Sequence, residues 1–596
     1  MASKDSLGGG GGETVFATVV EGSATMQYDQ KEAVFYNKVQ VLNRDLSIQV
    51  IRLFAEIRER EKAERYQAKL ARYQVLLQEA GVSSATSSSS SGSSSSSSSS
   101  SSSEAPPTTK SGQPIKAPYE LPKGIHILDA LAATGLRSVR YLKEIPLVNH
   151  VTINDLESVA TAQARVNCEQ NGVDMDRVTI NTGDAVGLMY ARRQPLDNFD
   201  VIDLDPYGTV SPFLDSAVQA VADGGLLCVT CTDMAVLCGS FPEKCFSLYG
   251  AVPLKNGYVH EAALRILLHA IEAAANKHKK HIVPWLSLSV DFYVRVFVRV
   301  FEAPAEVKRS LLKRALVVQS VHCPAFFLQP LGSSSATRKS GDDRAASSSG
   351  SSSGKDVNYY GGVVEAPSQC PETGSRMRVG GPIWSAPIHS QEVVDTLLQR
   401  LQPTNAELFA TYASLSSTAP RLLGILTSLS EEMKHTPLYF SLPELCAAVE
   451  CTSPSNLDVH AALQNAGYCY SQFHHDPGAI KTDAPASFIF DMMRAWCKLH
   501  PPEGSKHKKQ SSSAAAILAK PLTHTVSFLV SDTLKAEHER KRKEAVARFP
   551  PNPEDHWGPK RRADGGGSGG VGGASGAPKV KKNKNSASPA GSDPVR

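Results

Sequence analysis

Phe199-Asp200-Val201-Ile202-Asp203-Leu204-Asp205-Pro206-Tyr207-Gly208 reads as an apolar strand that delivers a carboxylate, a proline and an aromatic ring to its carboxyl end. In open α/β sheets that edge is where ligands bind. An acid able to accept hydrogen bonds, beside a flat ring able to stack on a base, suits chemistry on an exocyclic amino group of a nucleobase. Taken alone, Asp205-Pro206 also reads as a turn opening after a buried strand, so the flanking sequence has to decide.

Upstream, Gly124 to Ala130 is a second apolar run, followed by Ala133-Thr134-Gly135 and a segment, Leu136 to Glu144, with Leu136, Val139, Tyr141 and Leu142 at helical spacing. Strand, small-residue turn and helix in that order let a backbone approach a ligand closely and present unpaired N–H groups to it. A further strand, His150 to Asn154, ends in Asp155, where such folds place an acid on ribose hydroxyls. Another, Arg177 to Asn181, runs into Gly183-Asp184-Ala185. Three acids at three strand ends predict a nucleoside cofactor site.

The identity of that cofactor follows partly from what is missing. One glycine at the first turn is short of a pyrophosphate cradle, and there is no Walker lysine. S-adenosyl-L-methionine, a nucleoside without phosphates, fits better. Its ribose suits Asp155, its adenine amino edge suits Asp184, and its carboxylate calls for arginine, of which Arg44, Arg137 and Arg140 are candidates. Each of these arginines also reads as part of a solvated helix face.

Several further strings stand in order along the chain: Val34-Phe35-Tyr36-Asn37, Asn43-Arg44-Asp45-Leu46-Ser47, Ala132 to Tyr141, Thr230-Cys231-Thr232-Asp233-Met234, Gly381-Pro382-Ile383-Trp384 and Ile480-Lys481-Thr482-Asp483-Ala484-Pro485. With Asp203 to Gly208 they resemble the eukaryotic and archaeal tRNA (guanine-26-N2)-dimethyltransferases. The resemblance implies that Arg44, Arg137, Asp155, Asp184 and the backbone at Ala185 hold the cofactor, that Phe35 and Tyr207 flank the target guanine, and that Asp205 is catalytic. It also implies a class I, Rossmann-like methyltransferase sheet, six parallel strands plus an antiparallel one around Leu286 to Phe301, and dimethylation of N2 of guanine 26 in tRNA. A methyltransferase acting on another base or a protein, and an RNA-binding protein that has lost catalysis, are the alternatives.

Composition bounds the rest. The chain has 596 residues, but Ser83 to Ser103 is almost pure serine, Gly332 to Gly354 is Ser/Gly-rich, and Pro501 to Arg596 is dominated by Lys, Arg, Gly, Ser and Pro. Such stretches cannot bury enough apolar surface to offset chain entropy. The expected organisation is a disordered N-terminus (1–13), a segment completing the methyltransferase domain (14–82), a Ser-rich insertion (83–114), the methyltransferase domain (115–303), a C-terminal tRNA-binding domain (304–500) with a disordered insertion (332–356), and a basic disordered tail (501–596). From Glu392 to Met433 the apolar spacing is helical, and two short helices followed by strands around Tyr468, Tyr470 and Phe473 suggest a small α+β, winged-helix-like module in which His474, His475 and Lys481 could reach RNA.

Net charge is +4, yet the tail from Pro501 holds 18 Lys and Arg against 9 Asp and Glu, leaving 45 against 50 in residues 1–500. Basic runs at Arg540-Lys541-Arg542-Lys543, Lys560-Arg561-Arg562 and Lys579 to Lys584 suit phosphate contact or nuclear import. The chain is expected to be a monomer in the nucleus, with a mitochondrial or cytoplasmic pool as the alternative, and without a membrane partner, because no apolar run approaches bilayer length. Its 11 scattered cysteines suit free thiols. Cys228 and Cys231 lie three apart in a strand-like run and should face opposite sides. Where relatives carry two Cys-x-x-Cys knuckles, this chain has Ser320 and Cys323, then Cys370 and Thr373. Two thiolates do not close a tetrahedral site, so no structural metal is expected.

Overall fold

The alternation of apolar runs and helical periodicity between residues 124 and 303 builds a seven-stranded sheet in the computed structural model, which describes residues 16–29, 36–80, 114–336, 357–501, 511–544 and 546–553. A hairpin of β1 (Phe16–Glu21) and β2 (Ala24–Asp29) precedes the long helix α1 (Val41–Glu79). The parallel half of the sheet then alternates with helices: β3 (Ile125–Asp129), α2 (Leu136–Glu144), β4 (Val148–Asp155), α3 (Ser158–Gln170), β5 (Val178–Thr182), α4 (Ala185–Ala191), β6 (Phe199–Leu204), α5 (Leu214–Ala220) and β7 (Val221–Cys231). After α6 (Met234–Leu237), α7 (Pro242–Tyr249) and α8 (Val259–Lys277), β8 (Lys280–Val290) and β9 (Tyr293–Glu302) complete it.

Strand order is β5-β4-β3-β6-β7-β9-β8. Only β9 runs against the others, pairing antiparallel with both β7 and β8, so six strands point one way. Both faces are covered, as parallel sheets require. Cys228 and Cys231 on β7 enter the two separate apolar clusters on opposite faces. One of these faces receives α1, whose Leu42, Leu46, Val50, Ile51 and Phe54 are buried; each such side chain contributes about 1.5–3 kcal/mol. Gly135, at the start of α2, has φ +73° and lies so close to α3 that a Cβ would sit 2.9 Å from the Ala164 methyl, so only glycine permits the tight turn after β3.

A second lobe follows from α9 (Pro304–Arg309). Its strands β10 (Arg314–Ser320), β11 (Phe326–Pro330), β12 (Gly332–Ala336), β13 (Val357–Gly361) and β14 (Met377–Trp384) form a three-stranded sheet and a hairpin. Helices α10 (Gln391–Leu401), α11 (Ala406–Tyr412) and α12 (Ala419–Glu431) pack beside α1. Then come β15 (Phe440–Ser441), α13 (Leu442–Val449), α14 (Asn456–Asn465), β16 (Tyr470–Phe473), β17 (Asp476–Thr482), α15 (Ala486–Leu499), α16 (Ser512–Leu518) and α17 (Asp532–Lys543). Asp45 of α1 accepts from Ser416 Oγ at 2.8 Å, the Thr418 N–H at 3.0 Å and Thr418 Oγ1 at 2.7 Å, which joins the lobes.

Three expectations change. The tail from 501 is not uniformly disordered: α16 and α17 bury Ala514, Ile517 and Leu534, because a short apolar pattern was lost in the average composition of the whole tail. The insertion expected at 332–356 begins later, since residues 332–336 pair with 357–361 as a hairpin. Lys481 does not face RNA. It is 0 % exposed and its ammonium lies 2.8 Å from Glu261 and 2.9 Å from Glu432, while His474 is buried against Glu432.

Candidate active site

Four strand ends meet at one edge of the sheet. Asp129 closes β3, Asp155 closes β4, Asp184 follows β5, and Asp205 follows β6. Asp155 braces the turn after β3: one oxygen accepts the Ala133 N–H at 2.9 Å and the other the Glu157 N–H at 3.0 Å. Its backbone carbonyl takes the Gly183 N–H at 3.0 Å, which ties the Asp155 and Asp184 loops together. Asp184 caps α4 by accepting from the Val186 and Gly187 N–H groups, and Ala185, at the first helical position, is buried. Acids capping helices are favoured by the unpaired N–H groups there.

Asp205 is held by Arg137, whose Nη2 donates to it, while Nη1 of the same guanidinium reaches Asp203 at 3.2 Å and Ser47 at 3.3 Å. Below lies a buried polar network. Asp203 accepts from both terminal nitrogens of Arg295 at 2.8 and 2.9 Å and from the Tyr141 hydroxyl at 2.5 Å. Arg295 also donates to Thr230 and to Ser47, each at 2.8 Å. Burial alone would raise the Asp203 acid, but the two guanidinium groups overcome it and hold it at about 2. Asp129 has the opposite fate. The Ser138 hydroxyl donates to it at 2.7 Å, and burial pushes it up to about 7 against the pull of Arg137.

Tyr207 is 75 % exposed, two residues beyond Asp205. Gly208 is pinned to the end of β7, donating to Thr232 Oγ1 at 2.8 Å and accepting the Thr232 N–H at 3.1 Å, so the ring stands on a fixed loop. Arg44 lies elsewhere in the network: its guanidinium forms a two-pronged pair with Glu21 of β1, both bonds 2.6 Å, and the same Glu21 takes Arg140 at 2.8 Å. Phe35 lies outside the described residues. The structure therefore joins Arg137 directly to Asp205 and links Asp155 with the Asp184 loop, and it pairs Arg44, on α1, with Glu21 of the hairpin.

Asp203, Arg295, Ser47, Tyr141 and Asp129 are the members that sequence reasoning missed. Asp203 was in plain sight two residues before Asp205. The signal for Arg295 is the alternation Tyr293, Arg295, Phe297, Arg299 against Val294, Val296, Val298, Val300 on a strand buried on both faces.

Among the described residues one trio has metal-like proximity, His389, Glu432 and His474. It is a joint between lobes. His474 Nε2 accepts the Ser289 N–H at 3.0 Å and His389 Nδ1 accepts the Ser287 N–H at 3.2 Å. Ligation through the other nitrogens would set a ring N–H against a backbone N–H, with the Lys481 ammonium also on Glu432.

The family model for N2,N2-dimethylguanosine tRNA methyltransferases matches residues 14–494. The tRNA (guanine(26)-N(2))-dimethyltransferase 1 of Arabidopsis thaliana is 40 % identical over 560 residues, covering 92 % of this chain and 88 % of that protein. The human enzyme of the same name is 37 % identical, covering 96 % and 81 %. Among solved structures, Trm1 from Pyrococcus horikoshii, in complex with S-adenosyl-L-methionine, shares the fold with a TM-score of 0.55 and 23 % identity, covering 79 % of this chain and 98 % of that one. A match across both lobes, joined to this strand-end edge, places the chain in the N2,N2-dimethylguanosine tRNA methyltransferase family.

Proposed function

We propose that this chain transfers methyl groups from S-adenosyl-L-methionine to the exocyclic N2 of guanine 26 in tRNA, forming N2,N2-dimethylguanosine at the edge carrying Asp155, Asp184 and Asp205. The observation that carries the reading is the fixing of Asp205 by Arg137 above the Asp203–Arg295 pair, with the Tyr207 ring exposed beside it.

The residues present fit the cofactor. Each Asp155 oxygen has one backbone N–H and keeps a lone pair for a ribose hydroxyl. The Asp184 loop would present the Ala185 N–H to the adenine edge, and Arg44 and Arg137 would offer guanidinium groups to the carboxylate. When bound, S-adenosyl-L-methionine supplies a methyl group on a cationic sulfur, already activated for transfer.

The chain's residues then have to position a weak nucleophile, since the guanine N2 lone pair is delocalised into the ring. Asp205 accepts an N2–H and takes the proton released as the carbon–nitrogen bond forms. The Pro206 carbonyl accepts the other N–H and so orients the amino group; after one transfer a single N–H remains for Asp205. Extruding the base costs a few kcal/mol, and stacking between Phe35 and Tyr207 returns roughly one to three per ring. The order α13, α14, β16, β17 supports a winged-helix-like module in a second lobe that holds the tRNA. The chain is proposed to act as a monomer, without a structural metal, in the nucleus, with the basic tail runs as import signals; imaging of the tagged chain tests the last point.

Methylation of unmodified total tRNA by the full chain, followed by nucleoside mass spectrometry and mapping, tests the reaction. Label is expected in N2,N2-dimethylguanosine at position 26; label in adenosine or in protein would overturn it. Asp205→Ala should abolish transfer while leaving the affinity for S-adenosylhomocysteine within a few-fold, and turnover close to the parent would remove Asp205 from its role.

A further inference from the structure

Two turns of the second lobe face each other outside the catalytic edge. The first, between β10 and β11, is closed by the Ser320 N–H on the Ala325 carbonyl at 2.9 Å and carries Cys323. The second, before β14, is closed by the Cys370 N–H on Ser375 at 2.8 Å and the Gly374 N–H on Cys370 at 2.9 Å, with Gly374 at φ +68°. The Val321 N–H donates to the Arg376 carbonyl at 3.1 Å and ties the turns together. Between them the sulfurs of Cys323 and Cys370 lie 3.5 Å apart. Both thiols are buried, but His322, Gln369 and Pro371 beside them are exposed, so the pair lies one residue beneath the surface.

We propose that Cys323 and Cys370 are a redox couple that closes to a disulfide with a peroxide as oxidant, cross-linking these two turns. The sulfurs need to approach by only ~1.5 Å to reach bonding distance, while hydrogen bonds already hold the backbones on both sides. The surroundings assign the roles. Donation from Cys323, and from the hydroxyl and N–H of Thr373, holds the Cys370 thiol well below the usual range, and Cys323 is raised by sharing its proton with Cys370 and by burial, while the Ser320 hydroxyl serves both sulfurs. Cys370 is therefore the thiolate that attacks the peroxide: its sulfur takes one oxygen, the O–O bond breaks, and the departing hydroxide takes up the proton that Cys370 gave to solvent and leaves as water. Cys323 then attacks the sulfenic sulfur, the S–S bond forms, and a second water departs. Two thiols and one peroxide give one disulfide and two waters.

The cross-link bears on the tail. Cys323 and Cys370 share an apolar cluster with Ile517 of α16. Glu372 pairs with Arg494 at 2.7 Å, and Lys520 donates to the Pro371 carbonyl. Bridging residues 47 apart fixes the loop on which α16 sits.

The test treats the reduced full chain with hydrogen peroxide, alkylates the remaining thiols and digests without reductant. The expected result is one cross-linked peptide pair holding Cys323 and Cys370, cleaved by dithiothreitol. A melting temperature raised by roughly 2–5 °C and returning on reduction should accompany it. Cys323→Ser and Cys370→Ser should each lose both effects while the reduced variants still methylate tRNA. Titration of the parent chain against glutathione ratios reads the couple without any variant. The proposal is overturned if Cys370 becomes sulfinic acid while Cys323 remains alkylatable, if the cross-link joins other cysteines, or if thiol reagents release stoichiometric zinc.

Discussion

Asp129 offers a sharp test of the electrostatics at the strand edge. The acid is buried, bonds to Ser138, and has a folded-state value of about 7 against an ordinary 3.8. A value raised by folding means that the protonated form is favoured in the fold. Its stabilising contribution is full below about pH 4, declines as pH rises, and is lost above about pH 7. A separation of about three pH units corresponds to a ceiling of roughly 4 kcal/mol, of which about 2 kcal/mol falls between pH 5.5 and 8.5. Asp129→Asn keeps the volume and an oxygen for the Ser138 hydroxyl but cannot ionise. Urea unfolding of parent and variant at both pH values should therefore show the variant gaining about 2 kcal/mol on the parent at the higher pH. A difference that stays flat, or a variant that loses ground at pH 8.5, would mean that Asp129 is ionised and paired in the fold.

Asp155→Ala should weaken S-adenosylhomocysteine binding by at least about tenfold in calorimetry, since it removes the ribose acceptor and unties the Ala133 turn; unchanged affinity would displace Asp155 from the cofactor site. Tyr207→Ala should lower kcat/KM for tRNA by roughly 5- to 150-fold, from a stacking loss of about 1–3 kcal/mol, without altering cofactor affinity, and Tyr207→Phe should behave like the parent. Arg295→Met leaves the buried Asp203 charge with one guanidinium and should cost about 3–5 kcal/mol in denaturant unfolding at neutral pH. Asp203 is depressed by folding, so its stabilisation is present above about pH 4 and is lost as pH falls toward about 2; the deficit of the variant should narrow in that window.

The parallel half of the sheet was legible because Gly124 to Ala130 and Phe199 to Leu204 are short apolar runs bounded by turn residues, and Leu136 to Glu144 has one apolar stripe; α2 occupies the same residues. The acids at 155 and 205 were visible because each directly follows a strand-like run, and Asp184 because it follows the glycine that ends another. What supports them was not. Arg295 shares its face with Tyr293 and Phe297 on a strand whose other face is valine, a pattern that does not say what the arginine meets, and one of its partners, Ser47, comes from α1 far away in the chain. Arg44 reads as an anion-binding arginine, but its partner Glu21 sits on a hairpin 23 residues earlier, a pairing that no local pattern encodes. Helices α16 and α17 were hidden for another reason: Ala514 to Leu518 is a very short apolar run and Leu534 a single apolar anchor in a charged helix, and their burial depends on a surface built elsewhere.

Helix α1 has a consequence for how the molecule comes into being. Ser47 meets Arg295 across 248 residues of chain, with Arg137 reaching the same hydroxyl from between them. The polar floor under Asp205 therefore cannot be completed during synthesis until β9 has emerged, and until then Ser47 and its apolar neighbours must wait without their sheet. Loop closure over such a span is slow compared with local helix formation. Catalytic competence should accordingly appear late and all at once, after the last strand inserts between β7 and β8, and a chain begun at residue 114 would assemble its strands around an arginine whose helix never comes.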